Sequence, residues 1–442
     1  MKTKILTALF LMIGMTAMAQ TRASDSTPKA PQGATYTLSD GSTVTKTGET
    51  LTNTTQYNNV VQVSKGTLTL DNCTITKTGD GASGDNSSFY GTNSAVYAGD
   101  GTGSSSTSSA SSATININGG TITTSSQGAN AIFATNGSTI NVSGVTIDNS
   151  QTVSRGMHAT FGGIINASDM NITTRKATSS TVATDRGGGT VTVSNSTLTA
   201  QGDKSAILYS TGVITANNVT GLSEQGPIAT VEGTNYAYIN DSQMTSGSSK
   251  RGILLHQSGS GDAQGKKPVC EITRSTLTVT NVITPLCYVV NSTATLKLTD
   301  VTLDVPSKLL MTVPYDSKGS GSTGTLVLNT TKDSWTYTGT VSSSSDNMVV
   351  VEVGSNVIWQ LTADTYVNNL TNNGTIVTNG YTLTYGSLSG SGTINETTGI
   401  EAIKSQTSTS SPRYNLAGQR VGGSARGIVI QNVRKYVKSK KD

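Results

Sequence analysis

The chain has 442 residues, of which 13% are charged and 5% are aromatic, and its formal net charge is +4. Much of the positive charge lies in the C-terminal segment, for example at Lys440 and Lys441, and is not spread over the rest of the chain. The charge distribution therefore argues against nucleic-acid binding. Three scattered cysteines and two histidines have neither disulfide-framework nor metal-ligand spacing, and we expect no metal and no other cofactor.

The N-terminus is typical of a secretory signal peptide. A basic start precedes an apolar run from Ile5 to Met15, and Ala17-Met18-Ala19 is a cleavage site of the small-residue type. We expect residues 1–19 to be removed, residues 20–34 to form a disordered leader, and the protein to be secreted or held at the outer surface of a Gram-negative cell. No later stretch is apolar enough for a membrane helix, so we expect no transmembrane segment in the mature protein.

One phrase recurs along the body of the chain. Its clearest form is the segment from Thr139 to Asp148, in which apolar and polar side chains alternate, as in a half-buried strand. A Gly, Asn or Asp in its middle, such as Gly144, predicts a tight corner between two strands, and corner formation accounts for Asp169, Asp241 and Asp300. Further copies begin at or near Thr67, Thr114, Ile165, Thr190, Ile214, Ala237, Cys270 and Leu296.

A third strand is predicted between successive copies. Its inward residues are Val96, Ile132, Met157, Val182, Ile207, Ile228 and Ile253. Three strands per repeat of roughly 25 residues, around one apolar interior, predict an all-β fold, a right-handed parallel β-helix. We place this β-helix at residues 35–395, with regular coils at 60–313 and less regular ones at 314–395.

Several insertions rich in Gly and Ser interrupt the repeats. We expect them to be flexible loops that project from the corners of the coils. They occupy residues 80–93, 99–112, 258–267 and 316–324.

The coil pattern, in blocks such as Asn130 to Ile140, resembles that of the β-helical passenger regions of autotransporters and surface adhesins. The resemblance implies a surface-exposed β-helix with a role in adhesion. Because lyases and glycosidases share this pectate lyase-like scaffold, the resemblance is specific for the fold and much less so for an activity.

The C-terminal part differs in sequence pattern from the coils. We expect a linker at residues 396–411 and a small β segment at residues 412–442, where Tyr414-Asn415-Leu416-Ala417-Gly418 is followed by Gly427-Ile428-Val429-Ile430 and a basic end. This segment resembles the sorting domain of Bacteroidota proteins that leave by type IX secretion, which implies contact with the export machinery. The alternative is a surface hairpin with a solvated basic tail.

Two sets of residues are candidates for ligand binding. Tyr97, Phe133 and His158 follow the inward residue of three successive third strands, so they should point outward and stack, either against sugar rings or under a neighbouring loop such as residues 99–112. The second set precedes the third strand and forms either a basic ladder facing an anionic polysaccharide or a solvated corner. Its members are Arg155, Lys204, Lys250 and Arg251.

No catalytic residue is predicted. Asp185 and His256 occupy the same coil position but lie three coils apart, about 14 Å, which is too far for a catalytic hydrogen bond. We therefore expect a non-catalytic protein that binds glycans or the surface of a host or neighbouring cell. A polysaccharide lyase or glycoside hydrolase is the alternative, and a structural spacer or matrix component is the third possibility.

Overall fold

The computed structural model describes residues 28–82, 85–103, 112–259, 263–315 and 321–396, together with short stretches between residues 413 and 438. The predicted signal peptide lies outside the described residues, as do most of the predicted leader and nearly all of the predicted linker. The chain divides into two compact units, Met1–Thr397 and Thr398–Asp442.

The first unit is the predicted right-handed parallel β-helix. Its long sheets are parallel throughout, and each is built by strands from successive coils. Sheet A, the predicted third strand, consists of Ala34–Leu38, Asn59–Val63, Val96–Ala98, Ile132–Ala134, Met157–Ala159, Val182–Thr184, Leu208–Ser210, Ala229–Glu232, Ile253–His256, Cys287–Val290, Leu309–Val313 and Thr340–Ser343.

The other two faces are formed by the two strands of the recurring phrase. Sheet B consists of Thr43–Thr47, Lys65–Asp71, Ser112–Asn118, Thr139–Ser143, Gly163–Ser168, Gly189–Ser194, Val213–Asn217, Tyr236–Asn240, Val269–Thr273, Thr293–Thr299, Thr323–Asn329, Met348–Val353, Thr365–Asn372 and Leu383–Ser389. Sheet C consists of Thr50–Asn53, Thr74–Lys77, Thr121–Thr124, Thr146–Asn149, Asn171–Thr174, Thr197–Ala200, Thr220–Ser223, Gln243–Ser246, Thr276–Val279 and Thr302–Asp304.

The later coils contribute strands to a smaller parallel sheet, sheet D. The second unit has an antiparallel sheet instead. Sheet D consists of Trp335–Thr338, Val357–Gln360, Thr375–Val377 and Thr393–Asn395. In the second unit, Arg413–Tyr414, Arg420–Val421, Gly427–Gln431 and Arg434–Lys438 form an antiparallel sheet. Among the helices that the structure describes, none is long and apolar enough to cross a membrane.

The predicted repeats stack in register. Ile115, Ile140, Ile165 and Val191 are successive Cα partners in sheet B, and all four side chains are buried in the core. Burial of each such side chain contributes about 1.5–3 kcal/mol. Because a single coil cannot cover its own apolar face, this stabilisation depends on contiguous stacking.

The corners between sheets B and C have a left-handed backbone, as predicted from Asn, Asp and Gly. Asp169, Asp241 and Asp300 adopt φ values of 56°, 52° and 56°. Arg274, in the coil after Asp241, donates to both carboxylate oxygens of Asp241 at 2.7 and 2.8 Å. These contacts are exposed, so Asp241 serves the corner and not a buried site.

Polar side chains on the outer face of sheet B form an amide ladder. The Asn141 Nδ2 donates to Asn116 Oδ1 at 3.0 Å, and the Asn166 Nδ2 donates to Asn141 Oδ1 at the same distance. The three asparagines are Cα partners, as their aligned positions in the repeats predict. Each ladder bond ties one coil to the next.

Two sequence-based expectations are wrong. The insertion at residues 80–93 contains a helix, Asp85–Tyr90, because Phe89 and Tyr90 are apolar anchors that become buried. In sheet A, the Cα partner of Val182 is Leu208 and not Ile207. The assignment of Ile228 is displaced in the same way. Ile207 and Ile228 are both buried, although each lies one residue before the position that is aligned in sheet A. Their apolar character therefore does not reveal the shift.

The three cysteines are free thiols, and each is buried. Cys270 lies in sheet B and Cys287 in sheet A, both with side chains in the core. Burial raises the pKa of the Cys270 thiol to about 12 and also raises that of Cys287. The thiols therefore stay protonated and unreactive while the coils are folded.

Candidate functional site

The candidate site is built on the outward column of sheet A. Strand geometry places alternate side chains on opposite faces, so one outward residue from each strand joins this column. Its successive Cα partners are Tyr97, Phe133, His158, Ala183, Tyr209, Thr230, Leu254, Tyr288 and Thr312.

The three predicted rings do point outward and stack. Tyr97 and Phe133 lie nearly parallel with centroids 6.1 Å apart, and His158 meets Phe133 edge-on at 5.1 Å. None of the three is more than 1% exposed, however. A sugar ring cannot reach these faces in this conformation, so of the two arrangements expected from the sequence, the structure has the covered one.

The cover is supplied by the helix Asp85–Tyr90 and the residues after it. Thr160 Oγ1 donates to the carbonyl oxygen of Phe89 at 2.9 Å, and Asn130 Nδ2 donates to that of Ser87 at 3.2 Å. Gly91 packs directly on the Phe133 ring, where a Cβ atom would overlap it. The insertion beginning at Gly99 also touches Tyr97, so the predicted loop is only part of the cover.

His158 is buried without a hydrogen-bond partner on either ring nitrogen among the described residues. Its Nε2 lies 3.8 Å from Asp185 Oδ2. Burial lowers the pKa of His158 well below its ordinary value, and the Arg155 guanidinium acts in the same direction. The imidazole is therefore neutral, and it serves as the third ring of the stack.

Beyond Ala183, the outward column borders a trough with a volume of about 320 Å³. All four basic residues predicted as a ladder line it. Lys204 and Lys250 are exposed at its rim, Arg251 is half-buried, and Arg155 is buried. The trough thus gathers cations from coils that are separated in sequence.

The floor of the trough carries a buried carboxylate, Glu232. Tyr209 donates its hydroxyl to Glu232 Oε2 at 3.0 Å, and the backbone N–H of Ser258 donates to Oε1 at 3.2 Å. The Nε2 of His256 lies 3.7 Å from Oε2. Burial raises the pKa of Tyr209 well above its ordinary value, and the nearby carboxylates of Asp185 and Glu232 raise it further. Tyr209 therefore remains a hydrogen-bond donor.

Neither Glu232 nor Tyr209 was singled out from the sequence. Glu232 is the Cα partner of His256 and lies one coil away, whereas the sequence comparison paired His256 with the distant Asp185. The assignment of Ile207 as the inward strand residue places Tyr209, two positions later, on the inward side as well. Alignment of the shorter coil, whose strand ends at Glu232, with the next coil, whose strand ends at His256, identifies both residues.

The rim of the trough includes a corner with unusual backbone angles. Val153, Thr178 and Lys204 adopt φ values of 56°, 58° and 56°, which are uncommon for residues other than glycine and rarest for the β-branched Val153 and Thr178. Hydrogen bonds between coils hold this corner, from Val153 N to Ala177 O and from Thr178 N to Asp203 O, at 3.2 and 3.0 Å. The stacked corner fixes the backbone from which Lys204 projects.

The trough offers cations, hydroxyl groups and the carboxylates of Asp203 and Glu232, but its described residues do not suggest a metal site. No group of three or more His, Cys, Asp or Glu side chains that could hold a metal ion occurs in the described part of the chain. No protein-family model, curated protein or solved structure matches this chain.

Proposed function

We propose that this protein binds an acidic polysaccharide in the trough on sheet A. The observation that carries the proposal is the convergence of Arg155, Lys204, Lys250 and Arg251 around one cavity. Four cations face the two lining carboxylates Asp203 and Glu232, so the charge of the lining favours an anion.

The side chains at the floor of the trough favour a sugar as the molecule that carries the anionic group. Tyr209 and Leu254 offer an aromatic and an apolar surface, while Thr230 and Ser248 offer hydroxyl groups. Glu232 can accept hydrogen bonds from sugar hydroxyls in addition to that from Tyr209. A volume of about 320 Å³ lies at the lower end of the range that is usual for ligand sites.

This binding fits the role expected from the sequence, a secreted or surface-exposed adhesin-like protein of a Gram-negative cell. In this proposal the C-terminal segment contacts the export machinery and the β-helix meets the glycan outside. We propose retention of the glycan without cleavage, because the Glu232 carboxylate is already held by Tyr209 and Ser258.

Binding to immobilised polygalacturonate, alginate and hyaluronate, with neutral dextran as a reference, tests the proposal. Lys204→Ala should weaken binding about fivefold, since loss of one charge-assisted contact costs about 1 kcal/mol or more. Lys176→Ala is the matched control, because Lys176 is an exposed lysine of a neighbouring corner that does not line the trough. Added salt should weaken wild-type binding.

The outcomes separate the alternatives. Failure to bind any acidic polymer would refute the proposal and leave the spacer role. Equal losses in Lys204→Ala and Lys176→Ala would place binding elsewhere on the surface. Appearance of unsaturated or reducing chain ends during incubation would contradict retention and favour the lyase or glycosidase.

A further inference from the structure

The trough has a closed end. Along the outward column, Phe133, His158 and Ala183 are fully buried, and the column first becomes accessible at the half-buried Tyr209. A ligand lying along the coils therefore cannot continue past Ala183 towards the N-terminal coils.

The wall at this end is firmly attached. Arg155 donates from Nη1 to Ser88 Oγ of the covering helix at 2.6 Å, and its Nη2 lies 3.9 Å from Asp185 Oδ2. The guanidinium of Arg186 lies 3.8 Å from the centre of the Phe89 ring on the same helix. Contacts from two coils thus hold the helix where the trough stops, and Arg155 stands at that point.

The other end lacks such a wall among the described residues. The column continues through Tyr288 and Thr312, which are half-buried, to Ser342, which is exposed. Arg155 and Arg251 lie four coils apart, about 19 Å at the coil spacing of roughly 4.8 Å. The trough is therefore an elongated channel that is blocked at the Arg155 end.

We propose that the trough reads the end of an acidic polysaccharide chain, an inference that rests on the proposed function. The terminal acidic sugar meets Arg155 at the wall, and the following residues run past Lys204 and Arg251 towards Tyr288. An internal stretch of polymer cannot reach Arg155, because both of its neighbouring segments would need room and the wall leaves room for one.

The test uses the full wild-type protein and polygalacturonate as the probe. Short galacturonate oligomers and long polygalacturonate compete with the immobilised polymer at equal mass concentration. Only chain ends occupy a chain-end site, and oligomers that are tenfold shorter have tenfold more ends at equal mass. They should therefore inhibit about tenfold more strongly. Oligomers whose carboxyl groups have been reduced to alcohols should not compete.

A variant checks the role of Arg155. Arg155→Gln should weaken binding of the short oligomers about fivefold, the equivalent of roughly 1 kcal/mol, and should weaken binding of the long polymer by the same factor, because both bind through their ends. Arg175→Gln is the matched control, because Arg175 is exposed, pairs with Asp148 and lies outside the trough. The dissociation constant of the oligomers is a property of the folded molecules, so a poorly folding variant still gives an answer.

The results distinguish the two proposals. Equal inhibition by short and long chains at equal mass would overturn chain-end reading while leaving acidic polysaccharide binding intact. Oligomer binding by Arg155→Gln that is as tight as that of the wild type would also overturn it. Absence of binding by both probes would refute the proposed function itself, and chain-end reading with it.

Discussion

Replacement of His158 by phenylalanine should remove a pH dependence from the stability of the β-helix. The imidazole is fully buried against Phe133, and burial together with Arg155 keeps its pKa well below the ordinary value of 6.5. Asp185 Oδ2 lies 3.8 Å from its Nε2. In acid the unfolded chain therefore binds a proton at this residue that the folded chain does not.

The sign and the size follow from proton linkage. Because the pKa of His158 is lowered on folding, the full stability is present above pH 6.5 and is lost as the pH falls towards the folded pKa. For a ring that stays neutral when folded, the loss between about pH 7.5 and about pH 5 is about 2 kcal/mol. Phenylalanine cannot be protonated, so the free energy of unfolding of His158→Phe should change by about 2 kcal/mol less over that interval.

Urea unfolding followed by circular dichroism at the two pH values measures this difference. Tyr97→Phe is the control, since it alters the same ring stack without a group that titrates in this range. Other carboxylates and histidines contribute equally to all three proteins. Parallel pH dependences of the wild type and His158→Phe would show that the ring is charged when folded, and would refute the reasoning.

Three further predictions concern the cover, the ladder and the thiols. Gly91→Ala should destabilise the covering helix by about 1 kcal/mol or more, since Gly91 has a φ of 71° and packs on Phe133. Faster hydrogen exchange in the helix would show this loss, and unchanged exchange would contradict it. Asn141→Ala removes two ladder bonds and should lower the free energy of unfolding by about 1–2 kcal/mol, measured in urea. Cys270 and Cys287 should resist alkylation at neutral pH until urea unfolds the coils, and rapid labelling of the native protein would exclude the buried assignment.

The regular coils could be predicted from the sequence because their strands in sheets B and C have a local alternating pattern. Alternation at Ile140 and Val142 fixes which side faces the core, and Gly144 marks the corner. A copy as weak as that at Ala237 aligns correctly, since its Cα partners are Ile214 and Cys270. Periodicity therefore determined the architecture.

The candidate site depends on features that periodicity does not encode. Sheet A has short strands entered through corners of varying length, so two adjacent buried residues such as Ile207 and Leu208 leave the register ambiguous. That ambiguity concealed Tyr209 and Glu232. Whether an outward ring such as Phe133 is open or covered depends on a helix more than 40 residues away in sequence, at Asn130 and Ser87.

Whole-coil stacking also makes the length of this β-helix independent of the chemistry of the trough. Leu296 and its Cα partner Leu326 mark one coil on the far side of the trough. Because each coil contacts only its neighbours, gain or loss of such a unit preserves every side-chain column and leaves the cations in place. Gene duplication within the repeat can therefore lengthen the β-helix, while the proposed binding face is inherited unchanged.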